Sequence, residues 1–254
     1  MSVRLRDLAV AQGTATAEWP TRSSGWVRRP PRARIRRVLH EPEWYELASR
    51  PLLSKTSYAA VMRALDILLS LIALPFVIPV VALCALAVRL DTPGAPFFTQ
   101  LRTGRHGRRF PMYKLRTMVQ NASELKEQYA HLNELSWPDF KITDDPRVTR
   151  VGAFLRRTSL DELPQILNVL AGDMSLVGPR PTSFAAETYS LWHTARLDVK
   201  PGLTGLWQVS GRSDVDFDDR LRLDIAYIRS RCLTVDLLIL LRTFGAVFSG
   251  RGAA

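Results

Sequence analysis

A chain of 254 residues with 46% hydrophobic content can bury one sizeable domain, or one domain with an appendage. Thirty-five Lys and Arg against 24 Asp and Glu give a net charge of +11, which points to anionic partners such as nucleic acid, lipid headgroups or phosphorylated substrates. Two cysteines, Cys84 in an apolar run and Cys232 after Arg231, exclude a disulfide framework and a cysteine-based metal centre.

Residues 1–57 read as a basic, flexible extension. Seven arginines and no acid fall between Arg22 and Arg37, and Pro30 and Pro31 interrupt any helix. Attraction to a lipid surface is the expected role. Residues 41–49 carry a short helical pattern without evident chemistry.

Residues 67–88 are 22 in a row without a charge, roughly 33 Å as a straight helix and enough to cross a bilayer core. Pro75 and Pro79 sit at its middle, where each removes a backbone hydrogen bond and favours a bend. Both flanks are basic: Arg28 to Arg37, Lys55 and Arg63 before, and Arg89, Arg102, Arg105, Arg108 and Arg109 after. Retention of both on the cytoplasmic face favours a re-entrant, proline-broken hairpin over residues 58–91, with a kinked spanning helix as the alternative.

Residues 96–104 and 109–117 are extended-looking and joined by Arg-His-Gly, which predicts a β-hairpin. Lys114 and Arg116 then share one strand face and can meet one polyanion. Residues 121–135 read as an amphipathic surface helix. The Asp144-Asp145-Pro146 sequence is a turn signal rather than a metal site. Asp214, Asp216, Asp218 and Asp219 mark a helix entry, because they lack calcium-loop spacing. Residues 233–248 are too short to span and read as an interfacial amphipathic helix, with a buried core helix as the alternative.

The stretch 159–181, SLDELPQILNVLAGDMSLVGPRP, carries most of the chemistry. Leu163, Ile166, Leu167 and Leu170 fall on one helical face, and Gly172 supplies the stop. Asp161 and Glu162 would sit at the positive mouth of that helix, behind Arg156 and Arg157, where an anion and an ionised carboxylate are both favoured. Ser159 followed by Glu162 is also a capping box. Pro164 opposes that version, since it would be the fifth helical residue, so the helix is expected to begin at Asp161 or later. Capping and catalysis both stand on the local pattern alone.

Five segments in order resemble the monotopic phosphoglycosyl transferases, the bacterial sugar transferase family. They are the proline-broken run between Arg63 and Asp91, PGAPFFTQLRTGRHGRRFPMYKLRTM, DPRVTRVGAFLRRTSLDELPQILNVLAGDMSLVGPRP, KPGLTGLWQVSGR and the closing SGRGA. The resemblance covers about residues 58–252. It departs at Ile78, where many members have Ser before the membrane proline, at Leu115, where Phe is common, and at Ala254.

The resemblance implies a mostly helical α+β fold. A re-entrant membrane helix, a β-hairpin and several interfacial helices would surround one cytoplasmic catalytic domain over residues 92–254. It implies transfer of a sugar 1-phosphate from a UDP-sugar, such as UDP-galactose or UDP-glucose, to undecaprenyl phosphate with release of UMP, at the cytoplasmic face of the bacterial inner membrane. This step would initiate exopolysaccharide, O-antigen or related glycan assembly. Asp161 would be the nucleophile and a magnesium ligand, and Glu162 would assist the polyprenyl phosphate. Lys114, Arg116, Arg156, Arg180 and, more peripherally, Arg212 would bind diphosphate through charge and bidentate contacts. Anionic lipids are further expected partners, nucleic acid is not, and homo-oligomerisation is left open, as are the sugar, the final glycan and the polyprenol length. The competing reading is a non-catalytic, membrane-tethered basic module that binds anionic lipid or nucleic acid and ignores the acidic pair. A third is an inactive scaffold in a glycan assembly complex.

Overall fold

A computed structural model describes residues 43–49, 51–134, 142–184, 191–210 and 217–248. The arginine-rich stretch 22–37, Arg212, Asp214, Asp216 and the closing SGRGA lie outside the described residues.

Helix α1 (Glu43–Ala48) lies within the stretch expected to be a flexible extension. Its Tyr45 is buried among Val177, Leu206, Leu223, Tyr227, Val235 and Ile239, and the Arg242 guanidinium stacks 3.6 Å from the centre of the Trp44 ring. The edge-to-face Trp44–Tyr45 pair, with Tyr45 in the core and Arg242 on Trp44, docks this short segment.

Helix α2 (Lys55–Asp91) starts at an N-cap, Ser54, whose side chain accepts from the Ser57 amide. It is one helix by its hydrogen bonds, with Pro75 and Pro79, the residues expected to bend it, inside. Each removes one ladder bond, and the intact turns on both sides carry the helix past them. One face touches the rest of the protein at both ends. Near the start, the Tyr58 hydroxyl donates to Asp236 at 2.6 Å, Arg63 donates to the Val169 and Leu170 carbonyls, and Asp66 accepts from the Leu176 amide at 2.9 Å. Near the end, Val81, Cys84, Ala85 and Val88 pack on Leu115 and Leu155. Leu71, Ile72, Phe76, Ile78, Leu83 and Leu86 are exposed.

Strands β1 (Phe97–Thr103) and β2 (Arg109–Leu115) form the expected antiparallel hairpin, with Phe98 opposite Lys114. The turn places His106 and Gly107 at positive φ. Strand alternation buries Phe110 and Met112 against Val169 and Met174, while in β1 Phe97 and Phe98, on opposite faces, and Leu101 are all exposed. The surface helix expected over 121–135 shrinks to α3 (Leu125–Gln128) and a 3₁₀ turn. Asp145 folds back on Arg147, which donates from its amide and its guanidinium, in keeping with the turn reading.

Helices α4 (Arg150–Thr158) and α5 (Ile166–Ala171) are joined by a 3₁₀ segment, Leu160–Gln165. A small parallel pair follows, β3 (Ser175–Val177) and β4 (Gly202–Thr204). The chain then forms α6 (Leu206–Ser210), α7 (Phe217–Ser230) and α8 (Leu233–Phe248). Asp218 and Asp219 lie in the first turn of α7, as a helix entry should. Helix α8 is core on one side, through Val235, Asp236 and Ile239, while Leu237, Leu241 and Phe244 are exposed on the other.

Candidate active site

The acidic pair does not stand at a helix mouth. Helix α4 ends on Ser159 in the left-handed region, φ 58°, and Ser159 makes no side-chain cap. The 3₁₀ segment that follows carries Asp161, Glu162 and Pro164, and the α-helical ladder resumes only at Ile166. Pro164 is tolerated there because the tight turn precedes the α-helix. Since α5 has six residues, its backbone supplies no extended dipole at the acids. The expected apolar face is also displaced: Leu167 is 50% exposed, whereas Asn168 and Val169 are fully buried. The phase extrapolated from Leu163 is lost where three residues per turn give way to 3.6. Gly172 stops the helix as expected, at φ 89°.

The two carboxylates occupy different environments. Glu162 accepts from Lys114 Nζ at 2.9 Å and from both Arg180 terminal nitrogens, the Nη1 contact at 3.1 Å. Burial alone would raise its pKa, but Arg180 and Lys114 together outweigh that and hold it well below the usual carboxylate range. Asp161 is buried, and its nearest cationic partner is Lys114 Nζ at 3.9 Å, beyond hydrogen-bond reach. Burial raises its pKa and the Glu162 charge adds to this, against Lys114, Arg180 and Arg156. One carboxylate is therefore clamped as an anion, while the other keeps its lone pairs available and is the more basic of the two. Environments that separate two carboxyl groups in this way also separate their roles.

Lys114, Arg156 and Arg180 gather around the pair. The Arg156 Nε donates to Thr117 Oγ1 at 2.9 Å, and burial pulls its pKa down against the charges of Asp161 and Asp145. Arg116 faces elsewhere. Its guanidinium donates to the Thr92 and Pro93 carbonyls at 2.9 and 2.8 Å and closes the end of α2. The strand ends at Leu115, so the face expected to be shared by Lys114 and Arg116 does not persist that far.

Among the described residues no three His, Cys, Asp or Glu side chains are grouped to cage a metal. Asp161 offers carboxylate oxygens, while those of Glu162 are engaged by cations. Of the two, Asp161 is therefore the carboxylate whose oxygens could hold a hard divalent cation.

Three features that hold this cluster were not singled out from the sequence. Asn168 caps the free edge of β2: its side chain accepts from the Tyr113 amide at 3.1 Å and donates to the Pro111 carbonyl at 2.7 Å. It thus pairs the strand as a neighbouring peptide would, one residue from Lys114. Gly152 lets α4 lie against the backbone of Thr117, where a Cβ would be 2.0 Å from the carbonyl oxygen. Arg196 reaches the Arg180 carbonyl from a buried pair with Asp224. Only the Asn168 spacing, seven residues after Asp161, was visible beforehand, and nothing in the linear pattern separates it from a surface Asn.

The family model described as bacterial sugar transferase matches residues 57–250. The chain is 46% identical over 206 residues to the undecaprenyl-phosphate galactose phosphotransferase of Salmonella typhimurium, a match over 79% of this chain and 43% of that protein. It is 43% identical over 201 residues to the galactosyl transferase CpsE of Streptococcus agalactiae, covering 78% and 44%. It is 39% identical over 196 residues to the exopolysaccharide production protein ExoY of Rhizobium meliloti, covering 75% and 87%. The chain thus spans under half the length of the first two relatives and most of the third.

Proposed function

The chain belongs to the bacterial sugar transferase family, and from that premise we propose that it transfers a sugar 1-phosphate from a UDP-sugar to undecaprenyl phosphate. The unequal settings of Asp161 and Glu162 carry this reading. A free Asp161 oxygen attacks the sugar-linked phosphorus. The bond to the bridging oxygen breaks, UMP leaves with that oxygen, and the sugar phosphate remains on the carboxylate. An oxygen of the acceptor phosphate then attacks the same phosphorus and releases Asp161 as a carboxylate. Splitting transfer in two lets one site serve a water-soluble donor and a lipid acceptor in turn.

An anion approaching a diphosphate needs charge compensation, and Lys114, Arg180 and Arg156 supply it in a partly dry setting where it counts for more than in water. Glu162 assists by fixing Lys114 and Arg180, which then receive the acceptor phosphate. Magnesium, held by Asp161 and the diphosphate, would offset further charge when bound. The names of two relatives favour galactose as the sugar, and the third favours exopolysaccharide synthesis.

Re-entry of α2 from the cytoplasmic face of the inner membrane fits this reaction. Only residues 71–80 separate its two regions of contact with the catalytic unit, a rise of about 15 Å against a hydrocarbon core of about 30 Å. That stretch is too short to span while both neighbours pack on one polar domain. The exposed Leu237, Leu241 and Phe244 of α8 supply a second apolar face at the interface.

Incubation with radiolabelled UDP-sugars, undecaprenyl phosphate and magnesium should yield lipid-linked product for at least one sugar. Asp161→Asn should lower turnover by about three orders of magnitude, about 4 kcal/mol of barrier, and abolish a phosphosugar adduct mapped by peptide mass spectrometry. No product across the panel, full activity of Asp161→Asn, or an adduct on another residue would refute the assignment.

A further inference from the structure

Arg180 sits between two prolines, and its backbone is held from behind as firmly as its side chain is held in front. Pro179 has a fixed φ, and Pro181 confines Arg180 to extended conformations. The Gly202 amide donates to the Pro179 carbonyl at 2.9 Å, and the Gly178 amide to the Thr204 carbonyl at 2.9 Å. A further tie, on Arg180 itself, is a side chain from the far side of the fold. One nitrogen, Nη2 of Arg196, donates to the Arg180 carbonyl at 2.6 Å and to Asp224 Oδ2 at 2.6 Å. Arg196 and Asp224 are 6% and 1% exposed.

We propose that Asp224 and Arg196 are positioning residues that fix the Arg180 backbone so that its guanidinium stays on Glu162, beside Asp161. The proposal rests on the transferase reading for its functional meaning. A buried ion pair is a poor source of stability, because the desolvation of both charges offsets much of their attraction. It does fix geometry: Asp224 orients a long, otherwise mobile side chain, and that side chain then pins a carbonyl one residue from each proline. Helix α7 is thereby connected to the acidic pair through Asp224, Arg196, Arg180 and Glu162. Loss of either buried partner leaves the loop held by its glycine contacts and, two residues on, by the Thr103 amide on the Thr182 carbonyl, neither of which reaches the Arg180 carbonyl, and Arg180 is freed to leave Glu162 for solvent, since its side chain is already one-third exposed.

The test uses the full chain in lipid nanodiscs with arginine 15N-labelled at the guanidinium, the Arg180 resonance being identified by its loss in Arg180→Ala. In the wild type the Arg180 guanidinium protons should exchange slowly with solvent, because they are held on Glu162. In Arg196→Lys and in Asp224→Asn they should exchange roughly tenfold faster or more. Glu162→Gln should produce the same rise, and Glu162→Gln combined with Arg196→Lys should add nothing to it. A destabilising control elsewhere in the core, Val235→Ala, should leave the Arg180 exchange unchanged. The proposal is overturned if Arg180 exchanges as in wild type in both Arg196→Lys and Asp224→Asn, or if the double variant exchanges faster than Glu162→Gln. Turnover of a UDP-galactose and UDP-glucose panel measured on the same samples separates the two readings: a wild type without turnover sinks the transferase assignment, while the guanidinium exchange still judges the relay.

Discussion

Gly152→Ala sets two principles against each other. In the interior of a helix, Ala is favoured over Gly by up to about 1 kcal/mol, so propensity alone predicts a more stable protein. Packing predicts the reverse. A Cβ at this position would lie 2.0, 2.6 and 2.8 Å from the oxygen, carbonyl carbon and Cα of Thr117. None is the end of a flexible side chain, and Thr117 is tied to α4 by the Thr149 amide at 3.1 Å. To reach an ordinary 3.4 Å contact the helix must retreat by about 1.4 Å, the difference between 3.4 and 2.0 Å. That retreat unseats Leu155, 1% exposed, and lengthens the bond from Arg156 to Thr117. Overpacking of this kind costs about 1–3 kcal/mol, and the propensity gain offsets about 1 kcal/mol of it, so a net loss of about 1 kcal/mol is expected, or about 2–4 °C in Tm for a domain of this size. Turnover should fall as well, because the acidic turn follows α4 directly. Scanning calorimetry of the full chain in nanodiscs, with Gly245→Ala as a control, decides the matter. A Cβ at Gly245 meets nothing within 4 Å, so that variant should gain from propensity alone. Equal or greater stability of Gly152→Ala would refute the packing argument.

The pH dependence should have two components of opposite sign. Glu162 has its folded pKa depressed, so its stabilising contribution is full above the ordinary glutamate value and is lost as pH falls below it; urea titrations from pH 3 to 7 should show Arg180→Ala losing less stability than wild type on acidification. Asp236, fully buried between the Tyr58 and Tyr227 hydroxyls, has its pKa pushed up to about 6, chiefly by burial. Its unfolded state therefore loses the proton first, and wild type should lose about 2.4 kcal/mol relative to Asp236→Asn as pH rises from 4 to 7, at about 1.36 kcal/mol per unit; parallel stability curves for the two proteins would contradict this. Asn168→Ala should cost about 2–4 kcal/mol by leaving the Tyr113 amide and the Pro111 carbonyl unpaired, and amide exchange at Tyr113 should accelerate.

Much of the site was legible in the linear order of residues, because motif chemistry survives errors in local structure. Asp161, Glu162, Lys114, Arg156 and Arg180 stand in the segments that resemble the sugar transferase family, and it is the resemblance that implied their roles; the fold brings all five together. The supporting reason offered for the acids, a helix dipole, fails at Ser159, because a left-handed residue followed by a 3₁₀ turn cannot be told from a helix start by apolar spacing. Arg116 was assigned to the site by strand alternation, and the strand ends one residue too soon for that rule to hold.

What the sequence determined by itself were the features set by neighbours in the chain: the hairpin and its turn, the apolar helix, the Gly172 stop, the turn at Asp145, and the adjacency of Asp161 and Glu162. What only tertiary structure decided were features set by residues far apart. Tyr45 and Trp44 fold back on α8, Asn168 closes the edge of β2, and Asp224 reaches Arg180 through Arg196. The difference between Asp161 and Glu162 belongs there too. Adjacent carboxylates are chemically equivalent on paper, and they part only when a strand brings Lys114 and a proline-bounded loop brings Arg180 to one of them, where low dielectric strengthens those contacts and drives the two proton affinities in opposite directions.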